Sequence, residues 1–158
     1  MTQPSEKHLL DPELSTSLSA FFDRIPFNQL LGMEVIHVSR EHVEVRMAMK
    51  PEMIGNFIHQ TLHGGVIASI LDVAGGLQAV IGAYERTREM PEQERRAVLS
   101  RVGTIDLRVD YLQPGRGQWF LARARLMRAG RKVAVTRMEL HNDREELLAV
   151  GTGTYLCG

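Results

Sequence analysis

The chain has 158 residues, a mass of 17.8 kDa, 19 Lys plus Arg against 19 Asp plus Glu, and a formal net charge of zero. That length suits one domain able to bury a core without disulfides or metals, and the charge balance removes the global basic field that nucleic-acid binding uses. Six His and a single cysteine, Cys157, show no zinc-type spacing and offer no disulfide within the chain, so no metal site and a reducing, cytoplasmic setting are expected.

The opening stretch MTQPSEKHLLDPELSTSLSAFF lacks a basic segment followed by an apolar core, so no secretory signal is expected there. Glu13 to Phe22 reads as a helix with Leu14, Leu18, Phe21 and Phe22 on one face, and Pro26 as the start of a short turn. Met33 to Val38 and His42 to Met49 alternate, with Val43, Val45 and Met47 set against Glu44 and Arg46, which predicts a hairpin turning at Ser39 to Glu41. The charged stretch from Glu85 to Ala97 reads as a solvated excursion with a helical turn from Pro91. Beyond it Ile105, Leu107, Val109 and Tyr111 alternate with Asp106, Arg108 and Asp110, and three further strands follow over Trp119 to Met127, Val133 to Leu140 and Leu147 to Leu156. Their short connections favour antiparallel pairing, because parallel neighbours need a crossover of about a dozen residues or more.

Between hairpin and sheet lies Gly64 to Tyr84, a 21-residue run with one charged side chain, Asp72. A bilayer span would suit the length, but an ionisable group near the middle, Gln78 after it and five glycines argue for a helix buried within its own domain instead. Helix, two strands, long helix and four strands predict an α+β domain in which one antiparallel sheet wraps around a central α-helix, the hotdog arrangement. That domain is assigned to residues 26–158, with residues 1–25 as an N-terminal helical extension.

A lone carboxylate in an apolar helix has a private partner, stays protonated, or is placed for chemistry. Just upstream, HQTLHGG from His59 to Gly65 opens the same helix with backbone N–H groups suited to a developing negative charge. Together HQTLHGGVIASILDVAGG, GTIDLRVDYLQPGRG and AGRKVAVTRMELHN resemble the PaaI-like acyl-CoA thioesterases of the hotdog superfamily, closest to its bacterial YigI branch, over roughly Pro26 to Leu156.

The resemblance implies hydrolysis of an acyl-CoA thioester to free acid and coenzyme A, with no cofactor. It assigns the catalytic carboxylate to Asp72, nine residues after the motif residue His63, and the N–H that holds the thioester carbonyl to Gly64. A Ser or Thr that helps hold the attacking water maps to Thr104. Relatives often carry an Asn six residues before the motif His; here that position is Phe57, and Asn56 is the nearest substitute. Coenzyme A contacts are assigned to Gly65, Arg116, Arg131 and Lys132. Each assignment has a plainer reading beside it: Asp72 bonded to a neighbouring hydroxyl, His63 tying down the helix entrance, Gly65 permitting close packing, Thr104 an ordinary strand residue and the arginines a solvated face. Met33, Met47, Met49 and Met53 suit a malleable acyl pocket or simply fill the core.

Gly64 and Asp72 are eight residues apart, about 12 Å along a helix, whereas a base and an oxyanion donor must both sit about 3 Å from the reacting group. A two-fold homodimer with antiparallel central helices would bring Gly64 of one chain to Asp72 of the other, and related hotdog proteins further imply a dimer of dimers. Asp72 would then serve as general base or as nucleophile. The substrate implied is a medium- to long-chain fatty acyl-CoA, in keeping with 6% aromatic content. An aryl-CoA thioesterase, a non-catalytic acyl-CoA-binding module and a dehydratase are the alternatives.

Overall fold

The computed structural model describes residues 10–158, so the first nine residues of the predicted extension lie outside the described residues. Asp11 starts α1 (Pro12–Asp23): its carboxylate accepts the Glu13 and Leu14 N–H groups at 2.8 and 3.4 Å, with Pro12 in the first turn. Phe22 enters the core with Leu14 and Leu18 packed beside it, but Phe21 points outward, 65% exposed, and meets Phe22 edge-on at 5.8 Å. The predicted apolar face is therefore narrower by one aromatic ring. A second helix, α2 (Pro26–Leu31), ends at Gly32, whose φ of +69° is a left-handed cap that glycine adopts without strain.

Six strands form one antiparallel sheet in the order β1-β2-β6-β7-β8-β5. They are β1 (Met33–Val38), β2 (Val43–Ala48), β5 (Gly103–Tyr111), β6 (Trp119–Ala129), β7 (Val133–Asn142) and β8 (Leu147–Leu156). The β1–β2 turn is closed by Ser39, whose hydroxyl donates to the His42 carbonyl at 2.8 Å and accepts its N–H at 3.1 Å. Along β2 the expected alternation holds, with Val43, Val45 and Met47 buried. In β7, Ala134, Thr136, Met138, Leu140 and Asn142 are buried in strict alternation. Asn142 then builds the β7–β8 turn by accepting the Arg144 and Glu146 N–H groups, each at 3.0 Å.

One alternation departs from expectation. In β5 the pairing with β8 shifts between Thr104 and Asp106, so Ile105 sits on a bulge and is 56% exposed instead of pointing inward with Leu107 and Val109. Two short strands, β3 (Ile54–Asn56) and β4 (Thr61–Leu62), pair before the central helix without a signal in the sequence pattern, and the helical turn expected from Pro91 is present and extends to two turns as α4 (Glu92–Leu99).

The long helix α3 (Gly64–Arg86) lies against one face of the sheet, packing on β6, β7 and β8. Ile67, Ile70, Leu71, Ala74, Leu77 and Ile81 are essentially inaccessible, as is Gln78, whose amide donates to the Arg40 carbonyl at 3.1 Å and ties the helix to the β1–β2 turn. Length and apolarity would let α3 cross a membrane, but most of it is buried inside the domain. The burial is one-sided, however: Val66, Ser69, Asp72, Val73, Gly76 and Val80 form a partly open strip. Among the described residues, the helix is not wrapped all round. That strip and the outer edge of β5, which pairs with no other strand among the described residues, are features a second chain can cover.

Candidate active site

The entrance of α3 is held by its neighbours on both sides. His63 is the N-cap, with φ −64° and ψ 136°; its N–H donates to the Met53 carbonyl at 2.8 Å, and its Nδ1 accepts the Gly65 N–H at 2.8 Å. A histidine whose ring caps the helix in this way is occupied as a structural ligand of backbone. Gly64 follows as the first helical residue, where an N–H has no carbonyl one turn back to reach. Its own carbonyl accepts the Tyr111 hydroxyl at 2.9 Å, fixing this turn against β5. Gly55 is required beside it, because a Cβ there would stand 2.7 Å from the His63 Cα.

Asn56 lies in the loop leading to this entrance. Its Oδ1 accepts the Ile58 and His59 N–H groups at 3.0 and 3.1 Å, so the side chain shapes the β3–β4 loop, which displays Phe57 and Ile58 to solvent. The β5–β6 loop closes over β4: Leu62 donates to the Gly115 carbonyl at 2.8 Å, and a Cβ on Gly115 would stand 2.8 Å from Leu62 Cβ. Arg116 extends from this loop, exposed, while its carbonyl accepts Asn142 Nδ2 at 2.8 Å. Thr61, Gly64, Ile67, Tyr111 and Gly115 line a shallow hollow at the helix entrance. Another hollow lies against α1 and α2, lined by Ser17, Phe21, Arg24 and Pro26, and contains none of these residues.

Two turns along α3, Asp72 is half-buried on the open strip. Thr104 on β5 donates its hydroxyl to the carboxylate, 3.0 Å from Oδ1 and 3.2 Å from Oδ2. A further contact comes from Tyr155 on β8, whose hydroxyl lies 3.2 Å from Asp72 Oδ1 and 3.2 Å from the Asp72 carbonyl oxygen. Strand register explains the convergence: Thr104 and Tyr155 are direct partners across β5 and β8, so both reach the same turn of α3. Burial, and next the Asp72 charge beside it, push the Tyr155 phenol well above its ordinary pKa, so it stays protonated and able to donate.

Sequence reasoning missed Tyr155. A signal existed in Gly151, Gly153 and Tyr155, three residues on one inward face of a strand, since glycine there vacates space for something large. The motif methionines go to the core: Met33, Met47 and Met53 are buried, and Met49 packs against them. Arg131 and Lys132 project from the β6–β7 turn, exposed, where the Lys132 carbonyl accepts the Cys157 N–H at 2.7 Å. That turn lies at the Asp72 end of the sheet, because Ala134, Tyr155 and Thr104 sit side by side across β7, β8 and β5. Arg116 sits at the opposite end, near Gly64. Among the described residues no cluster of His, Cys, Asp and Glu could hold a metal ion.

Known proteins share this fold. The family described as the thioesterase superfamily matches residues 59–149. The medium/long-chain acyl-CoA thioesterase YigI of Escherichia coli K12 is 50% identical over 138 residues, spanning 87% of this chain and 89% of that protein. A Shewanella oneidensis crystal structure related to the thioesterase superfamily superimposes with a TM-score of 0.88 at 45% identity, covering 94% of this chain and 100% of that one. E. coli PaaI, from the phenylacetic acid degradation operon, shares the fold at a TM-score of 0.68 and 19% identity over 88% of each chain. With more than half its length matched by the family and a relative half-identical along nearly all of it, this chain belongs to the thioesterase superfamily as a single hotdog domain.

Proposed function

We propose that the chain is an acyl-CoA thioesterase that hydrolyses medium- to long-chain fatty acyl-CoA, using Gly64 of one protomer and Asp72 of its partner. The observation that carries this reading is the Asp72 carboxylate, held by Thr104 and Tyr155 on the strip of α3 that its own sheet leaves open. The chain-length preference rests on similarity to YigI.

In this mechanism the thioester carbonyl oxygen accepts the Gly64 N–H at the positive end of α3, which stabilises negative charge as it develops. Asp72 either takes a proton from water, whose oxygen forms the new C–O bond, or attacks the carbonyl carbon itself to give an anhydride that water then opens. In both routes the C–S bond breaks and coenzyme A leaves as a thiolate, which needs no strong general acid. Thr104 orients the carboxylate and the incoming water. Asn56 and His63 act through the loop and helix cap they build, and the Gly65 N–H is occupied by His63.

The separation of Gly64 from Asp72 along α3, about 12 Å, calls for two chains at each site. Antiparallel α3 helices across a two-fold axis would cover the open strip and set Gly64 opposite the partner's Asp72. Arg116 of one protomer would then approach the partner's Arg131 and Lys132, giving a cationic rim for the coenzyme A phosphates.

The test is release of free thiol from acyl-CoAs of graded chain length, plus phenylacetyl- and benzoyl-CoA, by the wild type and Asp72→Ala. Cleavage of the longer aliphatic substrates, with a loss of at least about 10²-fold in the variant, is the expected result. Turnover confined to aryl substrates would reassign the substrate class. Binding of acyl-CoA without thiol release would make the chain a binding module.

A further inference from the structure

The Asp72 contacts are unequal, and the inequality comes from a residue buried beneath the helix. Thr104 approaches from the exposed side and reaches both carboxylate oxygens. Tyr155 approaches from within and reaches only Oδ1, together with the carbonyl of the same residue. One hydroxyl thus ties the carboxylate to the turn of helix it stands on. Oδ1 is engaged by two hydroxyls and Oδ2 by one.

The fold makes room for this contact at several points. Tyr155 is 1% exposed, and its ring and hydroxyl lie between α3 and the sheet. A Cβ on Gly75 would fall on the Tyr155 hydroxyl itself and stand 2.8 Å from the Thr136 hydroxyl. A Cβ on Gly153 would stand 2.6 Å from both the ring and its hydroxyl, and one on Gly76 would touch the ring at 3.5 Å. Thr136, fully buried on β7, lies beside the same phenol oxygen and donates its hydroxyl to Met138 Sδ at 3.1 Å. Glycine is a poor helix former, yet Gly75 and Gly76 sit in the middle of α3, one turn from Asp72. The slot fits a phenol ring whose hydroxyl ends at the carboxylate.

We propose that Tyr155 is the positioning residue of this site, anchoring Asp72 through Oδ1 so that Oδ2 is presented to the substrate. The inference rests on the reading of Asp72 as the reacting carboxylate. Oδ2 is then the atom that accepts the water proton, or that forms the C–O bond if Asp72 attacks directly. A buried phenol suits the role because it remains a neutral donor across the working pH range.

The test is Tyr155→Phe, which keeps the ring in its slot and removes only the hydroxyl. Two readouts go beyond folding. The first is the split of kinetic constants in thiol release: kcat should fall about tenfold with KM nearly unchanged, because substrate still binds while the carboxylate is less well placed. The second is the same substitution made in an Asp72→Asn background, where it should cost nothing further, because Tyr155 acts through the carboxylate. Gly153→Ala, which crowds the ring without removing the hydroxyl, should lower kcat in the same way. Wild-type kcat in Tyr155→Phe, or an equal loss in the wild-type and Asp72→Asn backgrounds, would overturn the proposal. If Asp72→Asn by itself retains full turnover, the reading of Asp72 fails instead.

Discussion

The shared site makes a quantitative demand on mixtures of inactive variants. Gly64→Pro removes the N–H offered to the thioester carbonyl while suiting the backbone: proline is tolerated at the first helical position, and His63 before it has ψ 136°, the extended geometry that a following proline requires. Loss of one oxyanion donor costs about 10²- to 10³-fold in turnover, and Asp72→Asn removes the base or nucleophile outright. Each homodimer should therefore be inactive. When equal amounts are unfolded and refolded together, random pairing makes about half the dimers mixed, and each mixed dimer has one site in which both groups are intact. About a quarter of the wild-type activity per chain should return, read as thiol release against subunit ratio, with a maximum at equal mixing. Gly64→Ala is the control: it keeps the N–H, and its Cβ would sit 3.3 Å from the Tyr111 ring, so most activity should survive. A mixture as inactive as its components would place both groups in one chain and refute the two-chain site.

His42 stacks on His37 with ring centroids 4.4 Å apart, and burial, then the His37 charge, hold its pKa below the ordinary 6.5. The unfolded chain therefore binds the proton more readily, so this contribution to stability is complete above about pH 6.5 and is lost as pH falls toward the lowered folded value. Urea midpoints should drop between pH 7.5 and 5.5, and the drop should shrink in His42→Gln, in which Glu41, Glu44 and Arg123 keep their charges; a wild-type midpoint independent of pH would contradict this. Removing the cationic rim with Arg131→Ala and Lys132→Ala should raise KM for acyl-CoA several-fold at low salt, with kcat intact and the difference closing as salt rises. An unchanged KM at all salt concentrations would return both residues to the solvated surface.

Much of the fold could be read because each strand buries one face. Val43, Val45 and Met47 alternate with charged neighbours, and the loops between the last four strands are too short for anything but antiparallel pairing. The misses share a cause: they depend on long-range pairing and not on local pattern. Ile54 to Asn56 is too short to carry a period of two, and pairs only because β4 returns beside it. Ile105 continues a perfect alternation in sequence, yet the register against β8 slips at that residue and turns its side chain outward. The open strip of α3 was hidden for a related reason. Valines, glycines and a serine around Asp72 look like core to a composition argument, and only the curvature of the sheet decides which face is covered.

The candidate site divides along the same line. Asp72 stood out locally, as one charge in a long apolar run, and Gly64 because a glycine pair after histidine opens that run. Tyr155 did not, because tyrosine near the end of a strand is unremarkable, and the glycines at 75 and 76 lie far in the chain from Gly153. Their meaning appears once β8 is laid beneath α3: a Cβ at Gly75 or Gly153 would collide with the Tyr155 side chain, whereas one at Gly76 would make ordinary contact with its ring. Glycine in the middle of a helix and on the buried face of a strand lowers the stability of both elements, so their convergence on one phenol requires a common cause. Packing alone would be served as well by phenylalanine at 155. The space at the end of the ring, reserved for an oxygen between Thr136 and Asp72, is what distinguishes a slot made for a hydroxyl from one made for a ring.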